Sequence, residues 1–247
     1  MNEVEFKTGV IRPVECMREG WELIKNEYWL FFGITFVGML IAGLIPFGIG
    51  IGAMFCGIYY CIFQKMNGET VSFDGLFKGF NYFIPGLLAT LVFIIPAFIF
   101  LIISYIPLVL MQIRLMNSRN PDPTEFFAYF GFFIIEMIFV WLILGSIHVF
   151  LFFAYPLIVE RGMSGFDAFK LSARAVWNNL GGVVGFILLE FLLGLAGYLV
   201  CFVGVYFTLP VMFAGALVAY RKVFPNSDGQ NFNPPPPNAF QDAGSYN

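Results

Sequence analysis

Residues 155–179 read YPLIVERGMSGFDAFKLSARAVWNN, a charged stretch between long apolar walls. At helical spacing Phe166, Phe169, Ala173, Val176 and Trp177 share one face, and Asp167, Lys170, Arg174 and Asn178 share the other. Ser164 stands where an N-cap is needed, with Asp167 three residues on. The pattern predicts an amphipathic helix lying on a membrane surface with its apolar face turned in.

The walls supply the membrane. The 247 residues are 59% hydrophobic and 12% charged and include 33 Phe, with a mean hydropathy of +0.81. Soluble domains are about 45–50% apolar and about 25% charged, so an ordinary soluble fold is excluded. Crossing a bilayer core takes about 20 apolar residues per helix, and runs of that order recur from Tyr28 to Tyr220. The expected class is all-α, a polytopic helical membrane protein. About six transmembrane helices are placed near 28–45, 47–64, 82–111, 127–158, 180–200 and 203–220. They form one helical domain over residues 1–224, followed over 225–247 by a Pro- and Asn-rich tail expected to be disordered, with a short polyproline piece at Pro234–Pro237.

Two earlier segments repeat the amphipathic design. After Pro13, the residues Val14, Met17, Trp21, Ile24 and Tyr28 line one face and Glu15, Arg18, Glu22 and Lys25 the other. In SFDGLFKGFNYF, residues 72–83, Phe73, Leu76, Phe77, Phe80 and the following Ile84 are expected inward, with Asp74, Lys78 and Asn81 outward. Each segment is expected in the headgroup plane, where Trp21, Phe77, Trp177, Lys170 and Arg174 are the interfacial candidates. Each also leads into an apolar hairpin, a threefold pattern of parallel repeats.

Basic residues near span ends stay on the cytoplasmic side. With the N-terminus inside, eleven of the 13 Lys and Arg fall in cytoplasmic segments and only Arg114 and Arg119 lie outside. Both termini are therefore expected in the cytoplasm, and the mixed charge of the first 28 residues does not read as a cleaved signal peptide.

Three ionisable residues interrupt apolar walls: Glu136 and His148 in the fourth span and Glu190 in the fifth. Burial in hydrocarbon makes each a candidate functional group facing the bundle or water. About 18 Å of helix separates Glu136 from His148, so they do not pair. Glu190, near mid-membrane, reads either as a proton or cation relay or as a neutral carboxyl holding helices together. Gly48 with Gly52 and Gly181 with Gly185 have the spacing of helix-packing pairs. Pro85, Pro96 and Pro107 recur along the third span as candidate breaks.

No Walker A loop, HExxH or GxSxG is present, and a single histidine excludes a His-rich metal or triad site. Cys16, Cys56, Cys61 and Cys201 have no metal or redox spacing. No cofactor or catalytic residue is expected. A net charge of -3 gives no basic face for nucleic acid.

Four stretches carry a resemblance: EGWELIKNEYWLFFGITF (19–36), GETVSFDGLFKGFNYF (68–83), residues 155–179, and TLPVMFAGALVAYRKVF (208–224). Together they are similar to small bacterial integral membrane proteins of unknown function, akin to the membrane domain attached to some glycerophosphodiester phosphodiesterases. The resemblance spans residues 10–224, implies a multi-span inner-membrane protein and carries no catalytic residue with it. IIEMIFVWLILGSIH (134–148) and the tail lie outside the pattern. The functional expectation is a non-enzymatic protein that organises membrane lipid or assembles with another membrane protein; the alternative is a transporter or channel for a small or lipidic solute.

Overall fold

The computed structural model describes residues 5–117, 123–199 and 203–225; Arg119, Cys201 and the tail beyond Pro225 lie outside it. Every regular element among the described residues is helical. The order is α1 (Pro13–Ile24), α2 (Tyr28–Leu44), α3 (Ile51–Met66), a 3-10 segment (Phe73–Tyr82), α4 (Phe83–Asn117), α5 (Pro123–Phe150), α6 (Ala154–Arg161), α7 (Gly165–Trp177), α8 (Leu180–Leu199) and α9 (Gly204–Val223).

A helix stands in each of the six expected spans, and five helical stretches are long and apolar enough to cross a membrane, which makes this a multi-pass membrane protein. The second expected span does not reach that length. Its helix, α3, has 16 residues, and most of its second half is buried in protein. The fourth expected span divides, because α5 stops at Phe150 and α6 begins at Ala154. Ser172 of α7 staples the break: its hydroxyl donates to Phe150 O at 2.7 Å and accepts from Phe153 N at 3.0 Å. The third span has no such break, and α4 runs as one 35-residue helix through Pro96 and Pro107.

The described chain divides into two units, one of residues 1–90 with 149–247 and the other of residues 91–148. In the first, the amphipathic segments bury only part of their apolar residues on protein. The buried faces are Cys16, Met17, Gly20 and Ile24 in α1; Gly75, Leu76, Gly79 and Tyr82 in the 3-10 segment; and Gly165, Ala168, Ser172, Ala175 and Val176 in α7. Of the residues expected on the apolar faces, Met17, Ile24, Leu76 and Val176 are among these, whereas Val14, Trp21, Phe73, Phe77, Phe80, Ile84, Phe166 and Trp177 are exposed. The physical reason is distance. A Cβ on Gly20 would overlap the backbone of Gly215 in α9, and one on Gly79 would overlap Ala53 and Gly57 in α3. At such spacing each amphipathic segment meets its neighbour along a line that includes a glycine, and its largest aromatics, Trp21, Phe77 and Phe80, are turned out.

These contacts follow one rule. Each amphipathic segment packs on the return helix of the preceding hairpin: the 3-10 segment on α3, α7 on α6, and α1, closing the series, on α9. The α1–α9 pairing is antiparallel, for Glu19 reaches Lys222, Gly20 meets Gly215, and Tyr28 at the start of α2 donates to Phe207 O at 2.7 Å. The three return helices meet at Tyr220, whose ring lies 5.9 Å from Phe63 of α3, 6.2 Å from Phe153 before α6 and 5.1 Å from Phe224.

The glycine candidates separate accordingly. Gly52 faces the backbone of Gly86 in α4, and Gly185 faces Pro13 at 3.2 Å, whereas Gly181 has open space around it. Gly48 is a turn residue at φ 68°, following Phe47 at φ 59°, in the tight link from α2 to α3. Gly20→Ala is therefore expected to lower stability by about 1–3 kcal/mol through overpacking, and Gly181→Ala to stay within about 0.5 kcal/mol of the parent. Thermal unfolding of both variants in one detergent checks the contrast.

Candidate functional site

The first unit carries its charge at the ends of the return helices. The Tyr220 hydroxyl donates to Glu160 Oε2, and Arg221 pairs with Glu160 Oε1 from the next position of α9. Arg161 stacks over Phe224 with its guanidinium carbon 5.6 Å from the ring, and its Nε, buried without a hydrogen bond, stands 3.9 Å from Glu160. Lys65 at the end of α3 pairs with Glu27 at 2.5 Å, and Lys222 with Glu19 at 2.7 Å. Arg221, Lys65 and Lys222 are each matched by a carboxylate from a neighbouring element, so this layer acts as a fastening of helix ends.

A second fastening holds the N-terminal segment. Asn179, 4% exposed, donates to Lys7 O at 3.0 Å and Ala175 O at 2.9 Å and accepts from Gly9 N at 2.7 Å. Three of the four hydrogen bonds that an amide can make are spent on backbone, which ties residues 7–9 to the α7–α8 corner.

Outside this layer the exposed rim of the amphipathic segments is aromatic and basic. Trp21, Phe77 and Trp177 are exposed, as are Lys170 and Arg174, and the Lys170 ammonium lies 4.4 Å over the Phe166 ring. Amphipathic aromatics beside cations are the chemistry of a membrane–water boundary.

The three intramembrane candidates are not brought together. In the second unit Ser104 donates to Glu136 Oε1 at 2.8 Å across α4 and α5, leaving Glu136 Oε2 buried without a partner. His148, near the end of α5, is exposed and makes no side-chain hydrogen bond among the described residues. Glu190 belongs to the first unit and stands on the face of α8 that also carries Val183, Phe186 and Gly197, all buried. It makes no hydrogen bond among the described residues. Tyr59 of α3, 6% exposed, packs its ring edge-on against Phe213 of α9 at 5.4 Å.

Several polar positions escape a reading by composition. Thr90 of α4 donates to Gly86 O at 2.7 Å and lies 3.1 Å from the Tyr155 hydroxyl, a polar contact inside an apolar wall. The knot around Glu160 joins residues sixty positions apart; the signal available in sequence is the recurrence of a polar pair, Glu160–Arg161 and Arg221–Lys222, at the ends of two return helices. No group of three or more potential metal ligands occurs among the described residues.

Searched against family models, curated proteins and solved structures, the chain matches none. The function is therefore argued from these contacts.

Removing the carboxylate at the centre of the helix-end knot leaves a cation and a phenol without their acceptor. Glu160→Gln is expected to cost about 2–3 kcal/mol, and Tyr220→Phe about 1 kcal/mol, because one deletes a charged acceptor and the other a single donor. Parallel melting curves of the purified variants test the order of these losses.

Proposed function

We propose that the protein is a non-enzymatic component of a cytoplasmic (inner) membrane that gathers lipid around the α4–α5 hairpin, with both ends of the chain in the cytoplasm. One observation carries the reading: residues 91–148 present apolar side chains on nearly every face. Ile95, Phe98, Leu101, Ile106, Leu110, Phe132, Ile135, Phe139 and Trp141 are exposed on this unit. A groove of about 490 Å³ runs past Pro107, Leu110, Arg114, Ala128, Tyr129 and Phe132, and one of about 340 Å³ past Ala97, Leu101, Ser104, Tyr105, Met137 and Val140. Both are open and mostly apolar, which suits acyl chains, and the first carries one cation, Arg114, that suits a lipid headgroup. The rim of Trp21, Phe77, Trp177, Lys170 and Arg174 would hold headgroups at the membrane–water boundary, and the resemblance to inner-membrane proteins points the same way. The cytoplasmic assignment rests on the basic residues, among them Lys65, Arg161, Arg221 and Lys222 at the return-helix ends.

The transport reading has one observation in its favour, the Glu190 carboxyl within α8, which makes no hydrogen bond among the described residues.

Reconstitution with phospholipid carrying a photoreactive acyl chain separates these ideas. Label concentrated on peptides from 91–148 is the expected result; label spread evenly over α2, α8 and the hairpin would overturn the lipid-gathering role. Cysteines introduced at positions 112 and 116 are expected to react with impermeant maleimide only from outside the cell, and reaction only in inverted vesicles would reverse the orientation.

A further inference from the structure

We infer that the groove between α4 and α5 at the Arg114 end of the hairpin binds one phospholipid molecule, its phosphate held by Arg114 and one acyl chain lying along Pro107, Leu110, Ala128 and Phe132. The site belongs to the lipid-gathering hairpin proposed above and rests on that reading, to which it adds a headgroup chemistry and a place.

The lining of the groove runs from charged to apolar. On α4 it is formed by Pro107, Leu110 and Arg114, which at 3.6 residues per turn make one stripe along the helix. Arg114 stands in the last turn of α4, and Leu110 and Pro107 lie about one and two turns deeper, so the stripe covers about 10 Å of helix. A cation at the helix end with apolar surface beneath it matches the build of a phospholipid, whose headgroup sits at the membrane–water boundary and whose chains enter the hydrocarbon. On α5 the small Ala128 fills little of the space that Tyr129 and Phe132 line. The resulting volume of about 490 Å³ falls within the range of about 300–1,000 Å³ common to small-molecule sites.

The same hairpin supplies the contrast that makes the site selective. Grooves of about 340 Å³ past Ser104 and about 380 Å³ past Trp141 are lined by no charged residue, so they accept acyl chains whatever the headgroup. Arg114 changes this for the first groove. A guanidinium carries five N–H donors in a planar fork that fits a phosphate bidentately, so it can keep a partner within the protein and still offer donors to a lipid. Tyr129 adds an amphipathic ring of the kind that settles at the boundary. A diacylglycerol would fill the apolar part of the groove equally well and bring Arg114 no phosphate.

The test uses the full chain in maltoside micelles and two probes with the same photoreactive group midway along one acyl chain: a phosphatidylglycerol and the diacylglycerol with identical chains. Labelled residues are read by mass spectrometry. The expected result is saturable labelling along residues 107–132 by the phospholipid and only linear labelling by the diacylglycerol. Below saturation, Arg114→Gln should lower the phospholipid's labelling there at least about tenfold, since a charge-assisted pair is lost. Arg114→Lys should fall between, because it keeps the charge and loses the fork. Gln112 is exposed about 200° around the helix from Arg114, so adding Gln112→Arg to the Arg114→Gln chain should not restore labelling. Ala128→Leu, which leaves Arg114 in place and fills the groove from α5, should also lower it. Failure of the phospholipid to saturate, saturation by both probes alike, an unchanged Arg114→Gln or Ala128→Leu, or rescue by Gln112→Arg would overturn the phosphate site, and label still concentrated on 91–148 would leave lipid gathering standing. Label spread evenly over α2, α8 and the hairpin by both probes would overturn the two together.

Discussion

Backbone contact at glycine is the constraint from which the rest of the first unit follows. Gly20 against Gly215, Gly79 against Gly57 and Gly52 against Gly86 bring helices so near that no side chain fits between them. α1 and the 3-10 segment are held this way on the return helices α9 and α3, and α7 comes equally near α4, where a Cβ on Gly165 would overlap the backbone at Pro85 and Ala89. Their burial gains combine these short-range contacts with the side chains that flank them, Met17, Ile24, Leu76, Tyr82 and Val176.

That constraint decides what faces outward. Once the small residues are turned in, Trp21, Phe77, Phe166 and Trp177 have no place in the interior and form an exposed aromatic rim beside Lys170 and Arg174. Packing and membrane recognition are thus two sides of one rotation of each segment. The polar fastenings at Glu160, Tyr220 and Arg221, and at Asn179, then lock the ends of helices whose middles are held by contact alone.

The two units treat buried polarity differently. In residues 91–148 the carboxyl of Glu136 is half-satisfied by Ser104 between two helices whose other faces are apolar and exposed. In the first unit Glu190 makes no hydrogen bond among the described residues and stands on the face of α8 that carries Val183, Phe186 and Gly197. A carboxyl with a partner on a facing helix, as Glu136 has, explains itself as a polar contact between helices.

By itself the sequence determined the class of structure and the position of its helices. Apolar runs of bilayer length can be buried only as helices in lipid, and the charged periodicity of residues 13–28, 72–84 and 164–178 marked the amphipathic segments between them. It also singled out Glu136, His148 and Glu190, because an ionisable side chain in such a run stands out by composition. Tertiary structure alone decided which way each amphipathic segment turns. Periodicity weighs residues by hydrophobicity, so it grouped Trp21, Phe77 and Trp177 with Met17, Leu76 and Val176 on apolar faces, whereas the protein contacts centre on Gly20, Gly79 and Ser172 and leave the large aromatics exposed. It also decided which polar groups find partners, since Ser104 with Glu136, Thr90 with Tyr155 and Glu160 with Tyr220 are joined across thirty to sixty-five positions by helix packing that no local pattern encodes.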